Sequence, residues 1–415
     1  MDESPLRLKE HELVRLRVIE TTFSDRTARD AAAMLRLSVR QVFRLKARVR
    51  AQGARGVIHG NTGRRPANAK AVSLHQRIME LHETQYPKYN DYHFAEALEE
   101  EHQLKVKPET LRRWLRSANI PAKRRHHSQS NHRRRRERRA RFGELVFIDG
   151  SPHPWLGPAL PSRTLILATD DATGMPLYGQ FEPQETLAGC FSVFYHVGRR
   201  YGLPAALYLD RAGQFTTTRH GGTHVLQRDD KPTHFEIAMQ TLAVQLIFAD
   251  SPQARGRGER INQSFQDRLV AELDHHHITD PARATDYLHR VFIPKYANRF
   301  GVKPRDSPSA FRPIPEGLDL RTVLCAKTTR EVANDNTISY QGQIYQLKPN
   351  TRTVCIAGTK VSVQEWFDGS IHVRHERAGS IPVQERTLPT RPGRQTARSP
   401  MTFSLWFSYD RIAMV

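Results

Sequence analysis

The chain has few cysteines, too few acids for its cations, and no long apolar run. Cys190, Cys325 and Cys355 are the three cysteines in 415 residues, and no two of them form a CxxC pair. Neither a disulfide framework nor a cysteine-based zinc knuckle can be built from them. The histidine-rich spots, His126-His127 and His275 to His277, have no partner cysteine at metal-ligand spacing. No apolar stretch reaches the roughly 18 residues that span a bilayer. Residues 1–20 are charged throughout and carry no signal-peptide core. A cytoplasmic protein without a membrane partner is the expectation.

What is abundant is positive charge. Lys and Arg total 64 against 43 Asp and Glu, a formal charge of +21, and the pI is near 10.3. Such a balance favours a polyanionic partner over a small neutral substrate, and nucleic acid leads. An anionic membrane surface would also attract the chain, but nothing in it inserts. At 415 residues it exceeds the roughly 250 to 300 at which single cores stop growing, so several domains are expected.

Residues 25–50 read as two short helices with a turn between them. Ala28, Ala31, Ala32 and Leu35 recur at helical spacing, Ser38 can cap the next helix, and Val42, Leu45 and Val49 continue an apolar stripe. The second helix carries Arg40, Gln41, Arg44 and Arg48 on its other face, side-chain types suited to base edges and phosphates. A solvated helical hairpin is the plainer alternative, and the basic face favours DNA. A helix-turn-helix domain is therefore assigned to residues 1–55. A linker rich in Gly, Asn, Arg and Pro follows over 53–69, then a second, winged helix-turn-helix domain over 70–122. There Pro108 opens a helix that turns Leu111, Trp114 and Leu115 inward and Arg112, Arg113 and Arg116 outward.

From Lys123 to Arg141 the chain holds ten Lys or Arg and one Glu, Arg133, Arg134, Arg135 and Arg136 among them. This basic linker, 123–141, has no apolar stripe and suits phosphate contact that weakens with salt.

After Gly143 the pattern changes. Strands are expected over 144–149 (ELVFID), 164–169 (TLILAT), 176–181 (PLYGQF), 206–209 and 245–248, with a helix over 186–201. Strands first, then strand-helix alternation, give an α/β domain with a mixed sheet over 142–315. Alternating runs over 337–347, 353–357 and 361–366, with Asp368-Gly369 as a hairpin turn, read as a small β-barrel over 330–385, and 386–415 as a tail.

Three acids stand out by position. Asp149 is read as ending the first strand, Asp210 the fourth, and Glu259 as opening a helix in SPQARGRGERINQSF. That is the edge where open α/β sheets assemble sites. Ile261, Phe265 and Leu269 form the helix's buried stripe, leaving Glu259, Asn262, Gln263 and Gln266 on a polar face toward the sheet edge. Three converging carboxylates repel, and two Mg²⁺ or Mn²⁺ ions resolve the repulsion. Such a pair serves in-line phosphoryl displacement.

The acids, together with FIDGS, TDDATG, YGLPAALYLD and SPQARGRGERINQSFQDRL, resemble the DDE transposases and retroviral integrases, most of all bacterial insertion-sequence transposases of the ISNCY-like type. The resemblance extends over essentially the whole chain and is strongest over 143–300. It implies an RNase H-like core with two metal ions on Asp149, Asp210 and Glu259. It implies cleavage at element ends, then transfer of 3′-hydroxyls into target DNA. The partners it implies are double-stranded DNA, as terminal inverted repeats and target, and a homo-oligomer on that DNA in the bacterial nucleoid. The second and third acids lie 49 residues apart, wider than in the simplest members, so 216–233 is read as an inserted surface loop.

Other residues divide between roles. Arg255, Arg257 and Arg260 are assigned to DNA and Asn262 to support of the acids. Asp170-Asp171 is read as structural and Asp250 as a turn cap. Two rival functions stay open: a transposase-derived DNA-binding regulator without catalysis, and a metal-dependent nuclease that does not join strands.

Overall fold

The computed structural model describes residues 8–62, 70–123, 137–209, 218–221, 225–228, 232–248, 256–348, 356–377 and 379–386, with backbone alone for 218–221, 225–228, 256, 257 and 386. Two compact units result, Met1–Leu81 and His82–Val415.

In the first unit α1 (Glu10–Thr21), α2 (Ala28–Leu35) and α3 (Val39–Gln52) close on Val18, Ile19, Ala31, Val42, Leu45, Val49 and Val57. The expected α2-turn-α3 pair is present. Thr27 and Ser38 cap the two helices, and Ser38 exchanges hydrogen bonds with Gln41 in a capping box. The chain leaves α2 through Arg36 at φ 53°, a left-handed position with no glycine to announce it. Helix α1 has a weak sequence signature, since Leu13 and Val14 are exposed and its buried side mixes the acid Glu12 with Val18 and Ile19.

Helix α4 (Val72–Thr84) leads into the second unit, where α5 (Asp91–His102) and α6 (Pro108–Ser117) follow. Strands β1 (Val146–His153), β2 (Arg163–Asp170), β3 (Pro176–Glu182), helix α7 (Leu187–Tyr201) and β4 (Ala206–Leu209) come next. A two-stranded hairpin, β5 (Thr218–Gly221) and β6 (Val225–Arg228), lies in the segment read as a loop. Helix α8 (His234–Thr241), β7 (Gln245–Phe248), α9 (Gly256–His275), α10 (Pro281–Tyr287) and α11 (Ile293–Phe300) complete the domain, with a π-helical turn, Leu288–Phe292, joining the last two.

The five strands form one mixed sheet in the order β3-β2-β1-β4-β7, antiparallel from β3 to β1 and parallel from β1 to β7. Its two faces carry separate cores. Ile166 and Ala168 of β2 face α7 and α8 through Phe191, Phe194, Phe235 and Met239, while Leu165 and Leu167 face α9 to α11 through Phe265, Leu269 and Phe292. A strand buried on both sides has no polar alternate positions, which is why β2 reads as the unbroken run TLILAT. Each such aromatic contributes about 1.5 to 3 kcal/mol by leaving water.

Asp170 and Asp171, both fully buried, knot the entry to this domain. The Asp170 carboxylate accepts from the Gly143 amide at 2.8 Å and from the Thr173 amide and hydroxyl at 2.8 and 2.7 Å; that of Asp171 accepts from the Arg139 amide at 2.8 Å. Gly143 stands at φ +81° with the Phe311 ring where a Cβ would lie, so both conformation and space require glycine. The acid pair is structural, as expected.

The helices before the sheet are fastened to α9. His93 Nε2 lies 2.9 Å from Glu272, Arg268 grips Glu96 at 2.6 and 3.0 Å, Asn90 donates to Asp267 at 2.5 Å, and His275 stacks on Tyr86. Burial pushes the Glu272 carboxyl up, yet the hydrogen bonds from His93 and Tyr287 hold it below the ordinary glutamate range.

Past a 3-10 turn at Leu320–Thr322 come β8 (Cys325–Glu331), β9 (Thr337–Tyr340), β10 (Gln343–Leu347), β11 (Lys360–Trp366), β12 (Ile371–His375), β13 (Gly379–Ile381) and β14 (Val383–Arg386). Among the described residues they form two sheets, β13-β12-β11-β8 and β14-β10-β9, around Ile338, Leu347, Val361, Val363 and Val373. The expected single closed barrel is not seen as such. The Asp368-Gly369 hairpin is present, with Gly369 at φ +82°. The run read as one strand over 337–347 is broken by a turn at Gln341 and Gly342, both at positive φ. Gln-Gly is a weaker turn signal than Asn-Gly or Asp-Gly. The expected strand at 353–357 and the tail beyond 386 lie largely or wholly outside the described residues.

Two predictions follow from this packing. Glu96→Ala leaves the largely buried Arg268 guanidinium without its carboxylate and is expected to cost up to about 3 kcal/mol in chemical denaturation. His289, its ring tilted against Tyr178 and its nitrogen bonded to the Gly179 carbonyl, is pushed down to about 4 by burial. The unfolded chain takes up that proton near 6.5, so folded stability is full above this value and is lost as pH falls toward 4. Melting temperatures across pH 7 to 4.5 should fall less for His289→Gln than for the wild type.

Candidate active site

One face of α9 lies along β1, and the two elements are joined at matching pitch. Asn262 Nδ2 donates to Asp149 Oδ2 at 2.8 Å, and Gln266 Nε2 donates to Ser151 Oγ at 3.0 Å. Four residues of helix rise about 6 Å. Two residues of strand rise about 6.7 Å. The i, i+4 pair on the helix therefore meets the i, i+2 pair on one face of the strand without distortion. Strand parity explains the rest: Val146 and Ile148 enter the core under α7, which turns Asp149 and Ser151 toward α9.

Asp149 is half-buried and stands fourth in an eight-residue strand, paired with Leu167. This corrects the expectation that it ends β1. Gly150 and Pro152 read as strand breakers, yet β2 continues the antiparallel ladder to the pair His153–Arg163. On the other side β4 pairs only through Val146–Leu207 and Phe147–Tyr208, so Asp149 lies beyond the parallel pairing recorded between β1 and β4. Burial alone holds His153, at the end of β1, below the ordinary imidazole range.

Ile261, Phe265 and Leu269 are buried as the periodicity requires, at 9%, 0% and 0% exposure. Asn262 and Gln266 look at the sheet, also as read. Glu259 sits in the first turn of α9, exposed, three residues before Asn262. Asp210 directly follows β4 and lies outside the described residues, as do Asp250, Arg255 and Arg133 to Arg136; for Arg257 the backbone alone is described. Among the described residues no three His, Cys, Asp or Glu converge to hold a metal. Sequence reading puts Gln266 on the polar face but gives it no partner, and it passes over Ser151. Their signal is the pairing of spacings, i, i+2 in a strand with i, i+4 in a helix.

The residues assigned to DNA separate into two kinds. Arg40, Arg44, Arg112, Arg113 and Arg260 are exposed, although Arg112 also pairs with Glu109 at 3.0 Å. Arg116 is held by Asp91 at 2.7 Å and donates to the Ile120 carbonyl, so it locks α6 to α5. Gln41 is spent on the α3 cap, and Arg48 on the Ile58 carbonyl. Charge pattern alone cannot distinguish a guanidinium facing solvent from one returned to the fold. No described helix is long and apolar enough to cross a membrane.

No family model matches the chain. Among known proteins it is 32% identical over 375 residues to the transposase y4bF of Sinorhizobium fredii, covering 89% of this chain and 80% of that one. It is 29% identical over 383 residues to the transposase for insertion sequence IS1202 of Streptococcus pneumoniae, covering 84% and 80% respectively. A solved structure, the HTLV-2 integrase catalytic core with magnesium in trimeric form, aligns over 36% of this chain and 86% of its own at 14% identity and TM-score 0.27, too loose a superposition to carry an argument. The likeness to the Sinorhizobium protein extends over about nine-tenths of the chain, and this chain belongs to the insertion-sequence transposases.

Proposed function

We propose that the chain is a metal-dependent polynucleotidyl transferase whose reaction centre comprises Asp149, Asp210 and Glu259. The observation that carries this reading is the Asn262–Asp149 hydrogen bond, because it sets the helix bearing Glu259 against the strand bearing Asp149. Glu259 precedes Asn262 by three residues and so belongs to the same side of α9. Asp149 and Asp210 each follow by two residues the paired positions Phe147 and Tyr208 of neighbouring parallel strands. That count supports their sharing one sheet edge.

The donor set fits a hard divalent cation. All three groups are carboxylates, and the two described cysteines, Cys190 and Cys325, are buried. Oxygen-only ligation suits two Mg²⁺ or Mn²⁺ ions. When bound, such a pair supplies Lewis acidity to the attacking and departing oxygens of an in-line phosphoryl displacement. The Asn262 amide holds the Asp149 carboxylate in one orientation, and the Gln266–Ser151 bond fixes the register of α9 so that Glu259 cannot slide.

Hydrolysis at an element end frees a 3′-hydroxyl, which then attacks a target phosphodiester without a covalent protein intermediate. Arg255, Arg257 and Arg260 bind phosphate beside the acids; the basic segment and the two C-terminal sheets hold backbone. The N-terminal unit reads the terminal inverted repeats through Arg40 and Arg44, with Arg112 and Arg113 as further contacts. Two ends must meet before joining, so the chain acts on DNA as a homo-oligomer.

The test uses end-labelled DNA from the flanks of the coding region and a target plasmid in Mg²⁺ or Mn²⁺. Joined product is expected from the wild type, and Glu259→Gln and Asp149→Asn should fall to the level seen without metal. Shortened strands without joined product would mean a nuclease; no metal-dependent product would mean a DNA-binding regulator. Asn262→Ala should lower joining about 10- to 100-fold and raise the Mg²⁺ concentration at half-maximal activity. A purely structural role would shift the melting temperature instead.

A further inference from the structure

The outward side of α3 carries two exposed apolar residues among its cations. Val42, Leu45 and Val49 fill the core of the first unit, whereas Val39 is 38% and Phe43 58% exposed. The two are four residues apart and share one stripe, with the exposed Arg40 and Arg44 on the adjacent one. The helix that presents them is rigid at this end, because the Ser38–Gln41 capping box fixes its first turn. Val39 and Phe43 thus form a small apolar spot set beside two exposed arginines on a helix whose first turn is fixed.

The flanking cations decide the partner's chemistry. A second copy meeting this face isologously would bring Arg40 and Arg44 against their own counterparts, a like-charge contact. An apolar groove on another protein would leave both arginines unpaired. Double-stranded DNA offers phosphate and guanine edges for the arginines, and the thymine C5-methyl is the apolar feature of its major groove. We propose that Val39 and Phe43 determine sequence specificity by contacting thymine methyl groups, with Arg40 and Arg44 on phosphate or guanine beside them. The inference rests on the reading that this unit binds element ends.

The experiment measures binding of the full chain to duplexes tiled across the DNA flanking the coding region. The tightest duplex is then remade with deoxyuridine for thymine, which removes only the methyls, and a scrambled duplex serves as reference. Wild type should lose about fivefold or more on the uridine duplex, the lower bound for one base-edge contact. Phe43→Ala should lose a similar factor on the thymine duplex, be indifferent to uridine, and keep the wild-type salt slope, since no phosphate contact is removed. Phe43→Leu should recover part of the loss. Wild type binding both duplexes equally would overturn the inference while leaving end recognition intact. So would equal losses for Phe43→Ala on both, or lost self-association of the free protein with DNA binding unchanged. If no tiled duplex is preferred to the scrambled one, end recognition falls as well.

Discussion

The register between α9 and β1 is the constraint on which the rest of this unit depends. A helix and a strand have different rises per residue and meet regularly only where small multiples of each coincide. Here four residues of helix against two of strand bring Asn262 to Asp149 and Gln266 to Ser151. The same helix presents Ile261, Phe265 and Leu269 to the core beneath the sheet and Arg268, Glu272 and His275 to the preceding helices. With three sides fixed at once, α9 can neither rotate nor slide without breaking an apolar stripe, two side-chain amide hydrogen bonds and a largely buried ion pair together. That rigidity is what a centre of converging carboxylates requires.

A second theme is how a chain of net charge +21 uses its acids. Asp170 and Asp171 go to backbone amides, Asp91 to Arg116, Glu96 to Arg268 and Arg299, and Glu272 to His93 and Tyr287. These carboxylates are placed inside the fold, where hydrogen bonds and ion pairs answer the cost of burial. With so many acids internal, much of the surplus of Lys and Arg is left at the surface, in keeping with a family that acts on DNA. Glu259 departs from the pattern: it is an exposed acid in the first turn of α9, within a strongly basic stretch of sequence.

The helices whose arginines sequence assigns to DNA show why a charge pattern is an incomplete guide. Arg44 and Arg116 are both outward positions on basic helices by periodicity. One is exposed, while the other closes a contact between α5 and α6. Burial of a partner such as Asp91 depends on a neighbouring helix whose position no local pattern encodes. Phe43, one residue after the buried Val42 and off the apolar stripe, is an apolar side chain left in water.

Local physics made much of this protein legible from its residues. The runs VFID, TLILAT and ALYL, the capping Ser38, the stripe of α9 and the Asp368-Gly369 turn each depend on neighbours a few positions away, so sequence alone determined those elements and the mixed sheet they build. The resemblance carried by Asp149, Asp210 and Glu259 also came from sequence. Tertiary structure decided what depends on distant partners. It carried β1 past Gly150 and Pro152 because β2 supplies a full ladder, found α1 despite its weak pattern, and split the C-terminal strands into two sheets. It also chose Ser151 and Gln266 as the second tie between strand and helix. Those outcomes are set by pairings across tens to hundreds of residues, and the free energy that selects them arises only when both partners are in place.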